Sequence, residues 1–173
     1  AGERAVEVRG SRLIPPTVKT VKLEGAIRRG YRAITLAGIR DPGAIAALDA
    51  IEAGVREAVT ESAAFVQPGS WQLRFLRYGL DAVTGPNEKP AMPPREVGLV
   101  IEAVAPTQPQ ADALVALARS KALHQAFPGR KATAGNLAFP FSPSDFSGGP
   151  VYEFALYHLT DLEPEFQLEV LEW

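Results

Sequence analysis

Apolar residues follow two recurring patterns along the chain, and the two patterns predict different secondary structure. Short segments rich in β-branched, leucine and aromatic residues predict four strands, at 31–37, 71–78, 97–104 and 151–159. Longer segments that repeat apolar residues every three or four positions predict two amphipathic helices, at 42–60 and 108–127. The predicted order is therefore strand, helix, strand, strand, helix, strand.

Both predicted helices begin at residues that suit a helix N-terminus. The Asp41 carboxylate can accept a hydrogen bond from a free backbone N–H, and Pro42 loses no hydrogen bond at the first helical position. Thr107 and Gln110 have the spacing of a capping box at the second helix. The Pro-Gly pair at 128–129 predicts where that helix ends.

The element order is that of a ferredoxin-like split βαβ domain (βαββαβ), an α+β fold with an antiparallel sheet and two helices on one face, here with an N-terminal extension. We predict that residues 31–160 form this domain. Residues 1–30 are predicted to be an irregular or strand-like lead-in, with an extended segment at 18–23 and a loop bracketed by Gly25 and Gly30. Residues 161–173 are predicted to form an acidic C-terminal tail.

Two of the predicted strands, at 31–37 and 97–104, are apolar on both faces. The two helices can cover only one face of the sheet, so we expect something else to cover the other. A second copy of the chain or a preceding domain is the expected partner. A lipid-like ligand or a local segment is the alternative.

Residues 130–150 form a long segment without clear periodicity, rich in Pro, Gly and Ser, and such long connections are often functional. We expect its cations to hold an anion and its polar residues to hydrogen-bond a ligand between Phe139 and Phe141, the ligand being a small carboxylate or an acyl-CoA. These candidate ligand-binding residues are Arg130, Lys131, Asn136, Ser142, Ser144 and Asp145. The alternative interpretation is a loop fixed by its own phenylalanines.

Composition and charge disfavour several classes of function. With 18 Lys and Arg against 20 Asp and Glu, the net charge of -2 offers no basic surface for nucleic acid. The absence of cysteine excludes disulfides, thiolate metal sites and cysteine nucleophiles. His124 and His158 are far apart in the sequence, so we predict no metal site and no cofactor, and His124 suits the last turn of the second helix.

The sequence shows neither a complete catalytic constellation nor a membrane-spanning segment. Ser142, Ser144, Asp145 and His158 supply the residue types of a serine-hydrolase triad, but the Gly-x-Ser-x-Gly elbow is absent. No apolar run approaches the ~18 residues of a membrane span, and the first residues are too polar to open a secretory signal. We therefore predict no membrane association and a cytoplasmic location.

The length of 173 residues predicts about one domain. The chain begins at Ala1, and Met92 is its only methionine. Two interpretations are open. Either an initiator methionine has been removed before a small residue, or the chain is a segment of a longer polypeptide.

The segment KATAGNLAFPFSPSD at 131–145, followed by GPVYEF at 149–154, resembles the acyclic terpene utilisation (AtuA-like) protein family. Shorter segments resemble the same family, namely KLEGA at 22–26, GYR at 30–32, AGIRDP at 37–42, VAPTQ at 104–108 and ARS at 118–120. The resemblance spans roughly residues 18–160 and corresponds to the C-terminal part of those proteins.

The resemblance implies a part in the breakdown of citronellol- and geraniol-type acids through acyl-CoA intermediates, and it carries over no catalytic residue. Family members are much longer, with a large domain ahead of this region, which favours the interpretation of the chain as a segment and supplies a cover for the second sheet face. We therefore expect a C-terminal interaction or substrate-completing domain of a terpenoid-catabolic protein. The alternative is a self-contained enzyme or binder acting on a small carboxylate or acyl-CoA.

Overall fold

The structure is a computed structural model that describes residues 4, 6–85, 92–131 and 135–161. A four-stranded antiparallel sheet with the strand order β2-β3-β1-β4 is combined with helices, which confirms the predicted α+β class. The elements in chain order are β1 (Thr20–Ile39), α1 (Pro42–Ala46), α2 (Leu48–Ser62), β2 (Gln72–Tyr78), β3 (Val97–Ala105), α3 (Gln108–His124) and β4 (Asp145–Asp161).

The register of the sheet decides which residues are buried. Strand β3 is antiparallel to both β1 and β2, and Ile101 lies opposite Thr35 on one side and Phe75 on the other. The odd-numbered residues of β1 from Ala33 to Ile39 and those of β3 are buried, and most of them form one core cluster with the apolar stripes of α2 and α3. Even-numbered residues lie on the opposite face, here called the second face, and most of them are half-buried.

The predicted helix starts are confirmed. The Asp41 carboxylate accepts a hydrogen bond from the Ala44 N–H at 2.8 Å, with Pro42 in the first turn. The Thr107 hydroxyl accepts one from the Gln110 N–H at 3.4 Å. His124 lies in the last turn of α3, where the helix dipole favours a cation.

The predicted loop between Gly25 and Gly30 is wrong, because β1 runs unbroken from Thr20 to Ile39. Gly30 has φ +148, and a Cβ placed on it would overlap the carbonyl oxygen of Ala105. This glycine allows a close approach between neighbouring strands, whereas the sequence pattern suggested a turn. The predicted strands at 18–23 and 31–37 are therefore parts of one element.

Three further element boundaries differ from the prediction. The first predicted helix is two helices, because Ala47 leaves helical geometry with φ -99 and ψ 8 between α1 and α2. Helix α3 ends at His124, and Phe127 is buried in the core from the segment beyond it. Strand β4 begins at Asp145 and includes the Gly-Gly-Pro sequence at 148–150 that suggested a connection.

The chain divides into two compact units. One unit contains residues 28–153 and includes the whole core cluster. The other combines residues 1–27 with 154–173, and within it the described ends of β1 and β4 are in contact: Gly25 lies against Leu156, and the Lys22 ammonium lies 5.4 Å from the centre of the Tyr157 ring. The predicted tail lies outside the described residues except for Asp161.

Candidate functional site

The two predicted anion-binding cations lie after the C-terminus of α3. Arg130 Nη1 donates hydrogen bonds to the carbonyl oxygens of His124 and Gln125, the second at 3.3 Å. These carbonyls are free at the end of a helix, so the Arg130 guanidinium caps the helix. Lys131 is exposed to solvent.

Two of the predicted ligand-binding residues make bonds inside the protein. The Asp145 carboxylate accepts hydrogen bonds from Arg119 Nε at 2.8 and 3.0 Å, and it also accepts one from the Ser144 hydroxyl at 3.3 Å. The Ser144 carbonyl oxygen accepts a hydrogen bond from the buried Thr35 hydroxyl at 2.9 Å. These groups connect α3 and β1 to the start of β4.

Aromatic contacts hold the segment before β4. Phe141 and Phe146 make an edge-to-face pair with ring centres 5.5 Å apart, and the Arg119 guanidinium lies 5.9 Å from the centre of the Phe139 ring. Ser142 is exposed beside this pair. The six predicted residues thus lie in different surroundings: a helix end, an internal ion pair, an exposed turn and, for Asn136, a cleft.

Asn136 lines a cleft of about 700 Å³ where the end of β1 meets the start of β3. An apolar hollow of about 330 Å³ shares three of its lining residues, Gly38, Gly98 and Ala138, so the two spaces adjoin. We call the combined space the glycine cleft. A volume of this size is typical of small-molecule sites.

The floor of the glycine cleft consists of Gly38 and Gly98, which lie directly opposite each other on β1 and β3. Neither has a positive φ, and a Cβ on Gly98 would come no closer than 3.6 Å to the Tyr78 Cβ. The backbone therefore does not require glycine at either position. The missing side chains leave open space on the second face.

One wall of the glycine cleft is the segment after α3. Gly38 and Ala138 exchange two backbone hydrogen bonds, at 2.7 and 2.9 Å, which fix this segment against the edge of β1. Apart from glycine and alanine, the apolar lining residues are Leu36, Ile39, Val97, Leu137, Phe139 and Pro140. The polar lining consists of Asn136, the Asp41 cap and an exposed ion pair between Arg40 and Glu96 at 3.3 Å. An apolar chain with one polar end would suit this lining.

The sequence analysis missed Gly38 and Gly98. Each lies inside a strand, where glycine is a poor choice unless something approaches closely. That signal was visible, but pairing the two glycines across β1 and β3 needed the register.

A polar cavity of about 390 Å³ lies elsewhere on the second face. Its lining includes three guanidiniums, of Arg29, Arg32 and Arg74, together with the carboxylates of Glu102 and Glu153. Glu102 is 6% exposed and forms ion pairs with Arg32 and Arg74. The Arg29 hydrogen bond to Glu153 lowers the pKa of the Glu153 carboxyl, so that pair is charged at neutral pH.

The described residues contain no group of three or more His, Cys, Asp or Glu side chains placed to hold a metal ion. Comparisons with protein-family models, with curated proteins and with solved structures found no match. No helix in the part of the chain that the structure describes is long and apolar enough to cross a membrane.

Proposed function

We propose that this chain is an interaction or substrate-completing domain with a ferredoxin-like fold, from a protein similar to the acyclic terpene utilisation family. Such a protein acts in the breakdown of citronellol- and geraniol-type acids. The order of strands and helices and the antiparallel sheet support the fold, and the segments at 131–145 and 149–154 support the family.

The observation that carries the proposal is the state of the second face. Its central residues Ile34, Leu36 and Val100 are apolar but only half-buried, whereas Ala33, Thr35 and Ile101 on the opposite face are fully buried. A contiguous apolar surface of this kind is typical of a surface that meets another domain.

The proposed partner is the large domain that precedes this region in members of the acyclic terpene utilisation family. The contact is tested by adding that domain, as a separate protein, to the present chain. Val100→Glu places a charge at the centre of the second face, and Ser120→Glu places the same charge on the exposed side of α3. We expect Val100→Glu to weaken association at least about tenfold, because an unpaired charge is buried, with no change for Ser120→Glu. Equal binding by both variants contradicts the proposal.

The glycine cleft favours a second candidate function, a binder of a small carboxylate or acyl-CoA. Its apolar hollow would hold the acyl chain, and Asn136 would hydrogen-bond the carbonyl or carboxylate oxygen. The proposal for the interaction domain does not depend on this candidate.

Calorimetric titration with geranyl-CoA, and with CoA alone, tests the second candidate. Gly98→Val fills the floor of the cleft at a position where the backbone accepts a side chain. Thr20→Val is the control, because it places a valine at an exposed position of β1. Binding that needs the acyl chain and is lost in Gly98→Val alone supports a binder. Unchanged binding in Gly98→Val, or no binding by the parent chain, contradicts it.

A further inference from the structure

The polar cavity on the second face has an excess of positive charge. Three guanidiniums, of Arg29, Arg32 and Arg74, meet two carboxylates, of Glu102 and Glu153, in a space of about 390 Å³. We propose that this cavity, here called the arginine pocket, binds a small anion that carries a hydroxyl group. The proposal is independent of the proposed function and of the glycine cleft.

Strand register brings the groups of the arginine pocket together. Glu102 on β3 lies opposite Arg74 on β2 and opposite Ile34 on β1, and Arg32 is two residues before Ile34 on the same face. Arg32 Nε contacts Glu102 Oε1, and Arg74 Nη1 lies 3.3 Å from Glu102 Oε2. One carboxylate therefore positions two guanidiniums from two different strands.

Gly148 gives the Arg32 side chain its path across the sheet. A Cβ placed on Gly148 would lie 3.1–3.3 Å from Arg32 Cβ, Cγ and Cδ, closer than ordinary van der Waals contact. The glycine on β4 thus leaves room for the Arg32 stem to lie flat. The contact with the Gly148 backbone and the ion pair with Glu102 together fix the Arg32 guanidinium at the wall of the pocket.

The guanidiniums of the arginine pocket keep N–H donors that no group among the described residues uses. Arg29 Nε donates a hydrogen bond to Glu153, whereas Arg32 Nε forms an ion pair with Glu102 without a hydrogen bond. Among the described residues, the terminal nitrogens of both side chains have no hydrogen-bond or ion-pair partner. A guanidinium offers more N–H donors than these single contacts occupy. Oxygen atoms of a carboxylate or phosphate are the matching acceptors.

Glu102 adds a requirement that a plain anion does not meet. Its Oε2 atom is buried and accepts no hydrogen bond from the described residues, although the positively charged Arg74 Nη1 lies 3.3 Å away. A buried acceptor without a donor is costly, and a hydroxyl group can supply the donor. A ligand with an anionic group for the three guanidiniums and a hydroxyl for Glu102 satisfies both sides of the pocket.

Calorimetric titration with two matched dicarboxylates tests this inference. L-malate and succinate differ by one hydroxyl group, and inorganic phosphate is the tetrahedral probe. We expect malate to bind at least about fivefold more tightly than succinate, because the hydroxyl completes Glu102. The tighter of malate and phosphate identifies the anion as a hydroxycarboxylate or a phosphate.

Three variants separate a binding site from a structural ion-pair network. Arg74→Ala should weaken malate and phosphate binding at least about tenfold, and Glu102→Gln should remove the preference for malate over succinate. Arg28→Ala removes the same charge from an exposed neighbouring position outside the pocket and should change nothing. Arg74→Lys, which keeps the charge without the planar fork, serves if the alanine variant fails to fold.

Two results overturn the inference. One is the absence of binding heat with malate, succinate and phosphate at concentrations up to about 10 mM, because a dissociation constant above that value is too weak for a specific site of this kind. The other is binding of malate that is equally strong in Arg74→Ala and in the parent chain. Either result would show that the arginine pocket is a structural ion-pair network only.

Discussion

The Thr35 hydroxyl donates a hydrogen bond to the carbonyl oxygen of Ser144 at 2.9 Å, and Thr35 itself is fully buried in β1. Threonine stands here in a row of buried apolar residues that includes Ala33 and Ala37. Its hydroxyl pairs with a backbone group immediately before β4 begins at Asp145. The bond therefore helps to fix where the segment after α3 joins the sheet.

Thr35→Val should destabilise the fold by about 1–2 kcal/mol, because valine keeps the shape but leaves the Ser144 carbonyl oxygen without its donor. Chemical denaturation measures the change in free energy of unfolding. Thr60→Val is the control, since the Thr60 hydroxyl donates to the Arg56 carbonyl oxygen on the exposed side of α2. Equal effects for the two variants would count against a structural role for the Thr35 bond.

The Arg119–Asp145 contact predicts a second stability effect. Both side chains are partly buried, and Arg119 also lies over Phe139. Asp145→Asn keeps the size of the side chain but removes the charge, and we expect a loss of about 1 kcal/mol. Glu7→Gln, which interrupts the exposed pair with Arg9, should have no measurable effect. Thermal unfolding at low and high salt distinguishes the partly buried pair from the exposed one.

Gly30→Ala should be among the most damaging single changes in β1. The new Cβ would meet the Ala105 carbonyl oxygen, and φ +148 is a conformation that alanine rarely adopts. We expect a loss of about 3 kcal/mol, measured by denaturant unfolding. Gly98→Ala is the matched control on β3, where the new methyl group makes ordinary contacts. A Gly30→Ala protein as stable as the Gly98→Ala protein contradicts the close approach.

Glu52 predicts a dependence of stability on pH. Burial raises the pKa of the Glu52 carboxyl, and the nearby cations Arg77 and Arg56 offset part of that effect. A carboxyl whose pKa is higher in the folded state than in the unfolded state stabilises the fold most at low pH, where it is protonated. That contribution to the free energy of unfolding is lost as the pH rises from the ordinary pKa of 4.5 through the raised value.

Glu52→Gln should therefore be more stable than the parent chain at pH 7, by about 1 kcal/mol, since Glu52 Oε1 is a buried acceptor without a hydrogen bond among the described residues. The difference should shrink as the pH is lowered. Glu57→Gln changes an exposed residue of the same helix and should show no such trend. Melting curves between pH 4 and pH 8, about the range in which carboxyls with raised pKa values titrate, would reveal a constant difference if Glu52 plays no part.

The local signals in the sequence predicted the sheet and the helix starts well. Asp41 and Thr107 act through bonds to residues three positions away, and the buried stripe of α2 follows from helical spacing alone. The loop predicted at Gly30 is wrong because a glycine in a turn and a glycine beneath a neighbouring carbonyl look alike in one sequence.

The candidate site was less predictable because it depends on partners distant in sequence. Arg130 is a predicted anion-binding residue, and its contact with the free carbonyls of the helix just before it had no signal in the sequence pattern. Asp145 finds its cation 26 residues earlier, on α3. Glu102 gave no local signal within its apolar strand, and its pairing with Arg32 and Arg74 follows only from the register of three strands.

Substitutions at Gly38 and Gly98 can separate the requirement for a stable fold from the requirement for an open cleft. Larger residues there would gain strand propensity and contacts, so a library selected for cellular abundance should accept them. A library selected for a biological task that uses the cleft should reject the same residues. A difference between the two selections at these two positions would show that the open space of the cleft is needed for function before any ligand is known.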